Sequence, residues 1–214
     1  KMGTRLNQIR FRRGSAVVSA SELERLYEEG QLLADTSEQN FRDRKLVRVS
    51  IDLSGAGRDG LVGYRARKHT DRIDLEKIGH YDPLDFWEPI YSHREQSLIL
   101  DPNDFYILVT RESVRIPPDY AAEMVAYDTS VGEFRVHYAG FFDPGFGYGE
   151  ADILGTRAVL EVRSHDVPFL LRHGQRVGRL QYERLTAEAH KIYGASGVGS
   201  SYQRQGLRLS RYFA

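Results

Sequence analysis

Cysteine is absent from the 214 residues. That removes any disulfide framework and any thiolate metal site, and it is the habit of intracellular chains. Long apolar runs are missing too: none approaches the roughly 18 residues a membrane-spanning helix needs. The N-terminal stretch "KMGTRLNQIRFRRG" has no apolar signal core. Nor is there a net charge. Lys plus Arg and Asp plus Glu each number 30, so no global field draws the chain to nucleic acid or a membrane surface, and any anion site must be local. Together these absences predict a soluble, cytoplasmic protein with no nucleic-acid or membrane partner. The length accommodates one large domain, or one domain plus a fragment.

Two stretches share a pattern. "GTRLNQIRF" at Gly3 to Phe11 and "GQRVGRLQY" at Gly174 to Tyr182 both run Gly-x-Arg-apolar-x-polar-apolar-x-aromatic. They read either as one strand written twice or as a chance match over a short span. Under the first reading, the N-terminal copy ends an earlier domain, and Lys1 ahead of Met2 fits a chain with something in front of it. After Gly14, "SASELERLYEEGQLL" predicts a short helix: Ser21 with Glu24 has a capping-box spacing, Leu23, Leu26 and Tyr27 share a face, and Gly30 can close it. From Leu46 the period changes to two. "LVRVSIDLSG" alternates into a Ser-Gly turn, and "SLILDPNDFYILVTRESVRIPPDY" holds two apolar runs separated by Asp-Pro-Asn-Asp. Further short runs lie at 134–138, 158–162, 169–171 and 176–182, whereas Asp71 to Pro89 reads as an irregular surface excursion. Many short strands, Gly and Pro turns and one helix predict a mainly β barrel or sandwich.

"AVLEV" carries Glu161 inside an otherwise apolar run. A buried unpaired carboxylate is costly, so Glu161 is either solvated and paired with Arg157 or Arg163, or it is used. Beside a nucleobase such a group can take a proton from water, pass it to the ring nitrogen and let hydroxide attack the amine-bearing carbon. The zinc version of that chemistry needs a Pro-Cys-x-x-Cys ligand pair. The chain has no cysteine, and its 7 histidines form no His-Glu-x-x-His. His137, in "FRVHY", reads as a strand residue rather than a ligand, and no Gly-x-Ser-x-Gly supports a serine nucleophile. In "FFDPGF", Asp143 suits the first position of a Pro-Gly turn, and there it could also accept a sugar hydroxyl. The tail "YGASGVGSSYQRQGLRLSRYF" reads either as a flexible end or as glycine-rich backbone able to wrap an anion.

"SIDLSG", "LILDPNDFYILVTRESVRIPPDY", "FFDPGF" ahead of "AVLEV", "GQRVGRLQYERL" and "SSYQRQG" occur together in an order that resembles the dCTP deaminase family, which belongs with the dUTPases. More closely, the chain resembles the C-terminal portion of the family's long two-repeat form. The resemblance implies a distorted mainly β barrel of the β-clip, dUTPase-like type with a short N-terminal helix. Residues 1–14 would end an otherwise absent first repeat, and residues 15–214 would form the second. It implies zinc-independent hydrolysis of the cytosine amine of dCTP to give dUTP and ammonia, with magnesium on the triphosphate. Sites would lie between copies in a trimer or pseudo-trimer, or be completed by the missing N-terminal repeat. Glu161 matches the general base and acid, and Val159 and Leu160 would present backbone groups to the base. Asp143 would contact the deoxyribose, and Tyr193 and Gln205 would close over the nucleotide.

One loop departs from the family pattern. Where the family carries an Arg-Ser-Ser-x-x-Arg type loop that grips phosphate and orients the attacking water, this chain has "AYDTSVGEF". Ser130 remains beside Thr129, while Asp128 and Glu133 replace basic residues, and Ser201 stands where a lysine is frequent. Carboxylates facing a triphosphate repel it unless magnesium or a neighbour compensates. Two alternatives therefore stand beside the deaminase: a dUTPase-like nucleotidohydrolase, suggested by "GQRVGRLQYERL" and "GASGVGSS", and a non-catalytic repeat that only completes the oligomer.

Overall fold

A computed structural model describes residues 9–34, 46–126, 134–137, 140–148, 154–164, 166–195 and 206–214. In chain order the elements are α1 (Ala20–Glu28), β1 (Val47–Ser50), β2 (Leu61–Ala66), α2 (Pro83–Phe86), β3 (Trp87–Tyr91), β4 (Ser97–Leu100), β5 (Phe105–Val114), β6 (Tyr120–Ala126), β7 (Phe134–His137), β8 (Phe141–Phe142), β9 (Thr156–Ser164), β10 (Phe169–Arg172) and β11 (Arg176–Arg184). The expected mainly β class with a short N-terminal helix is what forms. The helix begins two residues earlier than its capping pattern suggested. Ser19, not Ser21, is the N-cap, and its hydroxyl accepts the Glu22 N–H at 3.3 Å. Leu23, Leu26 and Tyr27 are buried as their spacing predicts, and the Gly30 N–H donates to Tyr27 O at 3.0 Å at the helix end.

The strands form three sheets with the orders β1-β11-β6-β8, β3-β2-β5-β9-β7 and β10-β4, all their ladders antiparallel. They do not close into one continuous barrel among the described residues. The first two are stitched by an isolated bridge between Ile51 and Thr110. That stitch sits at an irregularity in β5. Val109 faces Val159, but the next partner of β9, Arg157, faces Ser113, so β5 carries extra residues there. The bulge leaves the Ala158 N–H without a ladder acceptor, and the Thr110 hydroxyl accepts it at 2.9 Å. Glu112, also in the bulge, is buried and accepts the Ser50 N–H and hydroxyl at 2.7 and 2.6 Å. Side chains thus satisfy groups that the ladder no longer can.

One core lies under α1, where Leu23 and Leu26 meet Val47, Val114 and Leu180. A second, of Ile51, Leu53, Leu108, Leu160 and Val162, fills the space beneath β5 and β9. The excursion from Asp71 to Pro89 is irregular only in its first part, since its end forms α2 and most of β3. The chain end returns to it: Tyr81 bridges Phe213 in parallel, and the Phe213 ring meets those of Phe86 and Trp87 at 5.6 and 6.1 Å. In the candidate first-repeat strand, residues 1–8 lie outside the described residues. Residues 9–13 form no strand; Arg10 and Arg12 reach Glu123 and Glu183 instead. No described helix is long and apolar enough to cross a membrane.

Candidate active site

β9 alternates strictly. Thr156, Ala158, Leu160, Val162 and Ser164 are buried, while Arg157, Val159 and Glu161 are half-buried on the opposite face. This follows from the period of two in "TRAVLEVRS". Leu160 is 0% exposed and its side chain belongs to the core, so only its backbone is available for recognition. Glu161 faces Ile107 of β5 on one side and His137 of β7 on the other. β7 pairs with β9 only from Glu161 to Ser164. Residues 156–160 therefore have no strand on that edge among the described residues.

Neither predicted arginine partner pairs with Glu161. Arg163 lies over the ring of Phe105, its cross-strand neighbour, 5.7 Å from the centroid. Arg157 binds Asp52. Glu161 is left half-buried with no hydrogen-bond or ion-pair partner among the described residues, and burial pushes its carboxyl above the usual range.

Asp143 starts the turn that the sequence predicts. Its carbonyl accepts the Phe146 N–H at 3.1 Å, with Pro144 second and Gly145 third at φ +90°, the pattern of a type II turn. Tyr193 joins this corner. Its N–H donates to Pro144 O at 2.7 Å, and its ring lies 5.7 Å from that of Phe146. The turn packs on the start of β9, where a Cβ on Gly147 would come within 2.7 Å of Thr156 N. Asp143 and Tyr193 are thus brought together at one end of β9. Glu161 lies five residues along it, about 17 Å at the usual strand rise. Ser130, Gln205, Asp128, Thr129, Glu133 and Ser201 lie outside the described residues.

A cluster around Asp52 was missed from sequence. Asp52 is 1% exposed. Its Oδ1 accepts the Ser54 N–H at 2.9 Å and hydroxyl at 2.6 Å, while Oδ2 accepts from Arg58 Nη2 at 2.9 Å and from Arg157 Nη1. Burial works against the carboxylate, but the bonds from Ser54 and Arg58 overcome it and hold the group well below the usual range. His173 lies beside it, its Nδ1 accepting the Leu53 N–H at 3.1 Å. The signal available in advance was the Asp-x-Ser spacing inside "SIDLSG", which favours a side chain bonding its own backbone two residues on. Among the described residues no group of three or more His, Asp or Glu could hold a metal ion.

Comparison with known proteins agrees with this architecture. Residues 19–213 match the family "2'-deoxycytidine 5'-triphosphate deaminase (DCD), C-terminal domain". A protein of Streptomyces coelicolor named dCTP deaminase, dUMP-forming, is 32% identical over 190 residues, which are 85% of this chain and 95% of that protein. One of the same name from Methanobrevibacter smithii is 27% identical over 194 residues, covering 89% and 91%. The crystal structure of 2'-deoxycytidine 5'-triphosphate deaminase from Agrobacterium tumefaciens superposes with a TM-score of 0.72 at 54% identity, over 80% of this chain. This chain covers only 50% of that longer one. With the family match running through nearly all the described elements, from α1 to the returning chain end, the chain belongs to the 2'-deoxycytidine 5'-triphosphate deaminase C-terminal domain family.

Proposed function

We propose that this chain supplies the catalytic glutamate for hydrolytic deamination of dCTP, without zinc. The observation that carries the reading is Glu161 itself, a half-buried carboxylate with no described partner on an alternating strand, in a chain of this family. Burial that raises its proton affinity suits a group that must take a proton and then give it back. Glu161 removes a proton from water and delivers it to the ring nitrogen, and the hydroxide adds to the carbon bearing the amine. A second proton passes from the new hydroxyl to the amine, ammonia leaves, and the carbonyl of uracil forms. The sum is dCTP plus water giving dUTP plus ammonia.

Val159 and Leu160 follow directly on the last described β7 pair, His137 with Glu161, and serve as the backbone partners of the base. Asp143 takes the deoxyribose side, Tyr193 and Gln205 close over the nucleotide, and Ser130 orients the water. Magnesium enters as the counter-ion of the triphosphate. Neighbouring copies in a trimer or pseudo-trimer, or a first repeat of a longer chain, complete the site; half-length coverage of the Agrobacterium protein supports a two-repeat parent. The name dUMP-forming on relatives favours one further reading, in which the same site adds a second water and releases dUMP and pyrophosphate.

The test follows ammonia and nucleotide together while the intact protein is incubated with dCTP and magnesium. Ammonia in step with dUTP supports the first reading, and ammonia with dUMP and pyrophosphate the second. Glu161→Gln keeps the side-chain size and removes the base, so deamination should fall by about 10²–10⁴-fold. A variant that deaminates at the full rate would sink the assignment.

A further inference from the structure

One carboxylate, Asp52, serves two guanidiniums, so these three side chains keep a net positive charge beside β9. The two arginines are not equivalent. Arg58 is 14% exposed and spends Nε–H on Leu61 O at 3.0 Å and Nη2 on Asp52. Arg157 is 31% exposed, and among the described residues only its Nη1 is engaged. Its Nε–H and its second terminal nitrogen make no hydrogen bond among the described residues. The surplus charge and the spare donors thus reside on the same side chain.

Its position on the strand gives those donors a direction. Arg157, Val159 and Glu161 share one face, so an acid and a base stand four residues apart, about 13 Å along the strand, with an apolar side chain between them. That separation is within the length of an extended nucleoside triphosphate, so with the cytosine at Glu161 a phosphate can reach Arg157. We infer that Arg157 binds a phosphate of the substrate nucleotide through its free donor pair, with Asp52 as the positioning residue that holds the guanidinium against the strand. The inference rests on the deaminase reading above. A guanidinium presents two parallel N–H groups to one phosphate, and anchoring it in advance spares the ordering cost at binding.

The experiment is calorimetry on the intact protein with three probes: dCTP with magnesium, inorganic triphosphate with magnesium, and deoxycytidine. Asp52 keeps Ser54 and Arg58 in Arg157→Gln, so that variant should fold. It should lose at least about tenfold in affinity for both phosphate-bearing probes and keep its affinity for deoxycytidine, with KM for dCTP rising more than kcat falls. Should Arg157→Gln fail to fold, Arg157→Lys takes its place, because a lysine keeps the ion pair and loses the fork; several-fold weaker dCTP binding with deoxycytidine unchanged is expected. Asp52→Asn should reproduce the same selective loss. Wild-type affinity for inorganic triphosphate in a folded Arg157 variant, or equal losses on all three probes, overturns the inference. The first result with Glu161→Gln still inactive removes this inference alone. Weakened triphosphate binding alongside full-rate deamination by Glu161→Gln removes the deaminase assignment and leaves the anion site.

Discussion

Glu161 and Asp52 each take a carboxylate out of water, and burial by itself raises the proton affinity of both. Only Asp52 receives hydrogen bonds enough to reverse that. Its depressed value means a stabilising contribution that is present at neutral pH and is lost as pH falls through the folded value. Asp52→Asn should therefore cost about 3 kcal/mol at neutral pH, the low end for breaking a buried pair because Arg157 is partly solvated. The gap to wild type should narrow in strong acid denaturation series. Glu161 has the opposite sign. Its raised value favours folding below the unfolded pKa of about 4.3, and that contribution is lost as pH rises through the folded value. Glu161→Gln should then melt above wild type at neutral pH, with the difference fading on acidification. Identical melting curves across pH would mean the folded chain solvates this carboxylate as well as the unfolded one does.

At the scale of elements, "SASELE" contains Ser-x-x-Glu twice, at Ser19–Glu22 and Ser21–Glu24. Spacing does not choose between them; backbone geometry does, because Ser19 is extended at φ −65° and ψ 156° while Ser21 lies inside the helix. Ser19→Ala should cost about 1 kcal/mol and Ser21→Ala no more than about 0.5, measured by urea unfolding. The strands divide in the same way. β1 and β9 alternate, and the sequence announces them. β6, "YAAEMVA", was not predicted: it begins just after a Pro-Pro pair, and its successive residues Tyr120, Ala121 and Ala122 are all buried, so both faces are covered there and alternation is weak. Gly147 depends on tertiary contact too. Its φ is +64° and an added Cβ would strike Val114 O, whereas Gly79, at φ +59°, has open space. Gly79→Ala should cost about 1 kcal/mol, while Gly147→Ala should cost several times that or shift the turn bearing Asp143. Equal costs at the two sites would show that backbone conformation alone decides.

For the whole molecule, the open question is how many chains make one site. Glu161 sits on β9, Asp143 and Tyr193 meet at the turn that packs on its start, and Ser130 comes in sequence between β6 and β7. If Ser130 serves the glutamate of a neighbouring copy, Glu161→Gln and Ser130→Ala proteins, each inactive, should complement when refolded together. Random association would restore roughly a quarter of wild-type deamination, since a site then needs both intact residues from two chains. No recovery in mixed oligomers would place both residues in one copy.

Periodicity and local motifs determined the mainly β class, the position of β9 and the Asp-Pro-Gly turn, because each is written within a few adjacent residues. Partnership was decided elsewhere. Arg157 matched Glu161 in sequence but took Asp52, 105 residues away, because the bulge in β5 brings Ile51 and Asp52 against Val109 and Thr110. An alternating pattern tells which face a side chain occupies. What waits across that face depends on register between distant strands, and here that register left Glu161 without a described partner.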